Sequence, residues 1–183
     1  MHFPLAYIPS QSYKGGRGFG ASREKVRAGL RHGAVDLMSP PGTPVLAIDT
    51  GVVTRGPYPF FRGTYAIEIE HSRFIGRYCE IARETEVAVG EQVESGQVIA
   101  YVGNQPGHDM LHFEMYDGTS QGDLTQMGRP PYDRRRDLID PTPCLDRLRH
   151  TVANIEGQKK WEYWDDKEGR KFLLAHKKFL IDL

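Results

Sequence analysis

His32 and Asp36 stand four residues apart in Arg31-His32-Gly33-Ala34-Val35-Asp36, and His112 lies far downstream in Leu111-His112-Phe113-Glu114-Met115-Tyr116. Two imidazoles and one carboxylate form a donor set suited to Zn²⁺, and three protein ligands leave a fourth position for water. A His-x-x-x-Asp pair arises by accident in many sequences. The chemistry therefore depends on elements that bring His112 to that pair. Glu114 follows His112 by two residues, which places it on the same face of a strand, where it would orient a ligand or hydrogen-bond locally.

The elements that must do this positioning read as β-structure from about residue 33 to 118. Residues 45–48 and 52–55 are short β-prone runs separated by the turn signal Asp49-Thr50-Gly51. In residues 64–71, Tyr65, Ile67 and Ile69 alternate with Ala66, Glu68 and Glu70, and residues 74–81 follow across His71-Ser72-Arg73 as the second arm of a hairpin. Residues 87–102 take apolar steps punctuated by Gly90 and Gly96, and residues 111–116 form the last clear strand. Short strands with no helix between them predict an antiparallel sheet, sandwich or barrel.

On either side lie less regular segments. Residues 1–31 are polar and glycine-rich, and their basic excess (Lys14, Arg17, Arg23, Lys25, Arg27 and Arg31 against Glu24) reads as a solvated face covering part of the main domain, with an anionic-ligand site as the alternative. Residues 117–139 form a polar connection carrying Arg134-Arg135-Arg136; Arg135 and Asp140 are expected to tie the C-terminal segment down. Asp140-Pro141 predicts a helix N-cap followed by proline at the first helical position. Leu145, Leu148 and Val152 carry that helix to about Asn154, and Gly157 ends it. Residues 158–183 mix aromatics with charges and fit either an amphipathic helix or a hairpin. The expected organisation is a lead-in at 1–27, a main domain at 28–145, and a C-terminal helix and tail at 146–183.

Composition narrows the function classes. Lys+Arg and Asp+Glu both number 24, for a net charge of zero, which argues against a nucleic-acid binder. No apolar run reaches the ~18 residues of a membrane span. The first residues lack the charged start and apolar core of a secretory signal. Cys79 and Cys144 are too few for a disulfide framework, although one bridge is possible.

Residues 32–53, HGAVDLMSPPGTPVLAIDTGVV, resemble the metal-binding opening of the lysostaphin/LytM-type zinc metallopeptidases. Residues 88–103, which read AVGEQVESGQVIAYVG, resemble that family's glycine-punctuated hairpin, and LHFEMY at 111–116 its closing metal-ligand strand. The resemblance covers roughly residues 28–145. It implies a mainly β fold, an antiparallel sheet or sandwich of the lysostaphin/LytM type, with a short C-terminal helical extension. It also implies His32, Asp36 and His112 as ligands of Zn²⁺, and peptide cross-links or stems of bacterial peptidoglycan as substrate. The site of action would be the cell envelope, reached without a visible signal by lysis, a phage-like route or a secretion machine.

Two positions depart from the family pattern. The closing strand usually carries His-x-His, and here Met110 holds the first place; a Tyr-x-His-Leu motif reads Tyr78-Cys79-Glu80-Ile81, with Glu80 in the histidine position. A methionine thioether donates no proton. Glu80 has three readings: general base beside the metal, fourth ligand that closes the site, or uncoordinated glutamate on a groove rim. Tyr78 is expected on the same side as Glu80, offering its hydroxyl to a substrate carbonyl, with Cys79 in the core. His108 is a possible substitute imidazole, and His71 belongs to the hairpin turn. Two functions follow: a zinc metalloendopeptidase with Glu80 as base, or a zinc-binding pseudoenzyme acting as a wall-binding or regulatory module. A lipoyl-type carrier is excluded by the absence of a lysine in the 88–103 hairpin.

Overall fold

A computed structural model describes residues 1–156. After a single 3₁₀ turn (Gly15–Arg17), the chain forms β1 (Val35–Met38), β2 (Pro44–Leu46), β3 (Gly51–Pro59), β4 (Tyr65–His71), β5 (Ile75–Ile81), β6 (Gln92–Val93), β7 (Val98–Tyr101), β8 (Met110–Tyr116), β9 (Leu138–Ile139) and the helix α1 (Thr142–Glu156). Seven strands make one antiparallel sheet in the order β1-β8-β5-β4-β3-β6, with β9 pairing the far end of β8; β2 and β7 make a separate two-stranded sheet. The antiparallel β architecture with a C-terminal helix is therefore as expected.

The period-two alternation of β8 separates two environments. Leu111, Phe113 and Met115 enter the hydrophobic core, joined by Val35 and Leu37 of β1 and Ile67 and Ile69 of β4. Met110, His112, Glu114 and Tyr116 therefore share the opposite face. The register aligns Asp36 with His112 across β1 and β8, and Arg77 with Glu114 and Cys79 with His112 across β5 and β8.

A bulge interrupts that regularity where it matters. Against β4, Tyr65 faces Ile81 and Ala66 faces Cys79, so Glu80 is an extra residue on β5. Its φ of 63° lies in the left-handed region, which costs a non-glycine residue about 1–2 kcal/mol. Tyr78 and Ile81 both enter the core although three residues apart, because the bulge lets Cys79 and Glu80 leave on the same face. Gly103 closes on this kink. Its N–H donates to the Glu80 carbonyl at 2.8 Å, and a Cβ there would meet the Ile81 carbonyl oxygen at 2.8 Å.

The lead-in at residues 1–27 folds against the β core. Met1–Ala153 form one compact unit. Phe3, Leu5 and Tyr13 are core residues, each worth about 1.5–3 kcal/mol when fully buried. At the other end Asp140 Oδ1 accepts the Thr142 N–H at 2.8 Å, and α1 places Leu145, Leu148 and Val152 in the core. Residues 158–183 lie outside the described residues, as does the choice between helix and hairpin for them.

Candidate metal centre

His32 lies three residues before β1, Asp36 is the second residue of β1, and His112 comes from the neighbouring β8. All three are buried, and their ligand atoms converge. His32 Nε2 lies 3.1 Å from Asp36 Oδ1, His112 Nδ1 lies 2.9 Å from the same oxygen, and the two nitrogens are 3.4 Å apart. A tetrahedral ion with bonds of ~2.0–2.1 Å spaces its ligands by about 3.3–3.4 Å. The triangle is thus already close to the size a tetrahedral Zn²⁺ requires.

Each imidazole is oriented through its other nitrogen. His32 Nδ1 donates to the Gly18 carbonyl at 3.0 Å, and His112 Nε2 donates to Glu114 Oε1 at 3.1 Å. Both partners only accept, so Nε2 of His32, and Nδ1 of His112 once its proton has left, are the atoms free to offer a lone pair to a metal. Such outer partners fix tautomer and ring angle. The lead-in supplies one of them directly. It folds back so that Gly20 N–H donates to the His32 carbonyl and His32 N–H to the Ala21 carbonyl, both at 2.8 Å. Arg23 Nη2 lies 3.4 Å from Asp36 Oδ2.

The basic residues of this segment serve the fold more than an anionic ligand. Arg27 pairs with Asp133 and Lys14 with Asp146, both at 2.7 Å, and Arg23 also donates to the Gly16 carbonyl at 2.9 Å.

Glu114 is fully buried and carries a dense set of donors. Arg134 Nε reaches Oε1 at 2.8 Å, Arg77 Nη1 reaches Oε2 at 3.3 Å, and the Tyr116 hydroxyl donates to Oε2. Burial alone would raise its pKa, but Arg134, His112 and Arg77 outweigh burial and hold it well below the usual carboxylate range. Arg77 is held in turn by the Tyr58 hydroxyl at 2.8 Å and Thr125 Oγ1 at 2.9 Å. For His112, burial opposes charging, yet the hydrogen bonds to Asp36 and Glu114 prevail and push its pKa up to about 9. Asp36 moves downward because its bonds to His112 and His32 overcome burial.

Glu80 turns to this face through the bulge. It is 7 % exposed, and Gln105 Nε2 donates to its Oε2 at 2.8 Å. Burial raises its pKa, against the opposing pull of His112. His108 is an exposed loop residue whose charge Glu80 also senses. Phe60, at the β3–β4 turn, sets its ring 5.6 Å from the His112 ring and walls the site.

Tyr78 is not brought here. Its fully buried ring packs on Phe113, its hydroxyl accepts the Ile48 N–H at 2.9 Å, and the same hydroxyl lies 3.4 Å from His71 Nε2. Cys79 is fully buried, as expected, but on the face of His112 and Arg77. Simple alternation put Tyr78 rather than Cys79 on the face of Glu80 because it did not include the bulge. His71 stays in the hairpin region, its Nδ1 donating to the Thr50 carbonyl at 3.1 Å.

Arg135 grips Asp137, two residues on, through two bonds of 2.7 and 2.8 Å, a local pairing in the segment before β9. Gln105, Arg77, Arg134 and the Gly18 carbonyl escaped the sequence reading. Arg77 alone left a signal, a charge in the middle of the strand Ile75–Ile81 that is buried only when paired.

The family model described as Peptidase family M23 matches residues 30–124. A peptidoglycan DD-endopeptidase, ShyC of Vibrio cholerae, is 38% identical over 73 residues, covering 39% of this chain and 16% of its own length. Lysostaphin of Staphylococcus staphylolyticus is 27% identical over 142 residues, covering 72% of this chain and 29% of its own length. The chain therefore spans less than a third of either relative. Among solved structures, the antimicrobial peptidase lysostaphin from Staphylococcus simulans superposes with a TM-score of 0.59 at 24% identity, over 82% of this chain and 56% of that one. LytU gives 0.57 at 24% identity, over 78% and 94%. These structures share the fold. With more than half of its residues matched by the family model, the chain belongs to peptidase family M23.

Proposed function

We propose that the protein is a zinc-dependent endopeptidase that hydrolyses peptide bonds of bacterial peptidoglycan, with the cell envelope as its site of action. The observation that carries this reading is the convergence of His32 Nε2, Asp36 Oδ1 and His112 Nδ1 at near-tetrahedral spacing beside the buried carboxyl of Glu80. The two named relatives, one of them a peptidoglycan DD-endopeptidase, support the substrate class.

His32, Asp36 and His112 would hold a Zn²⁺, which would supply a Lewis acid for the scissile carbonyl and the attacking water. Glu80 takes the proton of the attacking water as general base and returns it to the departing amine. Its buried setting favours that uptake, because desolvation penalises the charged carboxylate. Glu114 and the Gly18 carbonyl hold the two imidazoles in the required tautomers, and Phe60 shields the site on the β3–β4 side.

A second reading, a zinc-binding pseudoenzyme acting as a wall-binding or regulatory module, is favoured by two specific observations. Met110 offers no donor, and the Tyr78 hydroxyl is committed within the core. Glu80→Gln separates the two. In the endopeptidase reading the variant keeps its zinc and loses ~10²–10⁴-fold in release of peptides from purified sacculi. A wild-type protein that folds, holds one zinc and releases nothing from sacculi of several cross-link types would leave the pseudoenzyme.

A further inference from the structure

Gln105 lies in the loop that joins β7 to β8, and its backbone is satisfied within that loop: its N–H donates to Asp109 Oδ1 at 2.6 Å and its carbonyl accepts the His108 N–H at 2.8 Å. The side chain turns inward and is 4 % exposed as a residue. Its Nε2 is committed to Glu80 Oε2 at 2.8 Å, while its Oε1 is buried and has no hydrogen-bond partner among the described residues. A buried acceptor without a donor is uncommon, and each instance calls for an explanation.

We propose that Gln105 is the positioning residue of Glu80 and holds its carboxyl group in both the charged and the neutral form that proton transfer requires. The inference rests on the reading of Glu80 as general base. A carboxylate only accepts hydrogen bonds, and Gln105 Nε2 meets that state as observed. Once Glu80 has taken the proton of the attacking water, its new O–H needs an acceptor. The unpartnered Oε1 becomes that acceptor when the amide turns about its last side-chain bond. When the proton passes to the leaving amine, the carboxylate returns and the amide turns back, with no proton gained or lost over the cycle. Lysine or arginine in this place would hold only the charged form, and an apolar side chain neither.

The other groups that act on Glu80 are His112 on β8, Asp36 on β1, His108 in the same loop as Gln105, and the adjoining Cys79 thiol. Within hydrogen-bonding distance of the Glu80 side chain, only Gln105 is recorded among the described residues. Its amide can serve either protonation state, which gives the orphaned oxygen a purpose.

Gln105→Met keeps the length of the side chain and removes both hydrogen-bonding atoms, so it is the variant of choice. On soluble cross-linked muropeptide dimers, kcat falls roughly tenfold or more, the scale of losing an outer-shell partner, while KM and zinc content stay at wild-type values. In a Glu80→Gln background the same change costs nothing further, since Gln105 acts only through Glu80. Additive losses overturn the proposal, because they signal a structural role.

A readout independent of turnover separates this proposal from the reading beneath it. The Glu80 carboxyl band in the infrared spectrum of the zinc-loaded protein, located by the Glu80→Gln difference, shifts in Gln105→Met. An unmoved band overturns the positioning role. Full activity of Glu80→Gln sinks the general-base reading instead, and with it the purpose assigned here to Gln105, even where the band has moved.

Discussion

Nε2 of His112 donates to Oε1 of Glu114 at 3.1 Å, and this bond leaves Nδ1 as the atom that faces Asp36 and His32. Glu114 is itself fixed by Arg77, Arg134 and Tyr116. The orientation of one ligand is therefore set by a buried ionic cluster drawn from β5, β8 and the segment before β9.

Glu114→Gln tests that dependence. The change keeps shape but leaves Arg77 and Arg134 facing a neutral amide, and breaking a buried pair costs about 3–5 kcal/mol. The expected result is a lower unfolding midpoint together with a 10–100-fold loss of zinc affinity in a chelator competition. Unchanged values for both would remove Glu114 from the support of the site.

Metal content tests the donor set directly. The wild-type protein should hold about one Zn²⁺ per chain, and His112→Ala should lose most of it. Stoichiometric zinc retained by the double variant His32→Ala, His112→Ala, measured by elemental analysis, would show that the ion is bound elsewhere.

The pH dependence follows from His112, whose pKa stands at about 9 in the folded chain against an ordinary 6.5. A pKa raised on folding means that the protonated form stabilises the metal-free fold fully below pH 6.5. That contribution is lost as pH rises through 9. Zinc must displace the same proton, so its affinity climbs with pH across this interval and levels off above it. Titration calorimetry in buffers of different ionisation enthalpy should show proton release on zinc binding at pH 7 and little at pH 10. Equal release at both would contradict the assignment.

Tyr78→Phe distinguishes a core tyrosine from a catalytic one. It strips the Ile48 N–H of its acceptor and disturbs His71, and a buried unsatisfied donor costs about 1–3 kcal/mol. Thermal unfolding should show that loss while zinc content and turnover stay at wild-type levels. A fall in kcat with unaltered stability would return Tyr78 to the site.

What the sequence determined alone was the chemistry and the periodicity. His32, Asp36 and His112 are a zinc donor set by residue type, and the alternation around His112 places Glu114 on its face because side chains on a strand repeat every two residues. The short strands, the turn signals and the apolar steps of α1 are likewise local properties. Tertiary structure decided everything that depends on register. A single inserted residue at Glu80 moved Tyr78 into the core and Cys79 to the face of His112, and nothing in Tyr78-Cys79-Glu80-Ile81 announces a bulge whose partner is Ala66 on another strand. The imidazole tautomers depend on acceptors at Gly18 and Glu114, and the second of these is charged only because Arg77 and Arg134 come to it from elsewhere in the chain. The Gln105 contact with Glu80 spans 25 residues. Such pairings reflect the requirement that buried polar groups find partners, and that requirement is met only once the chain has folded.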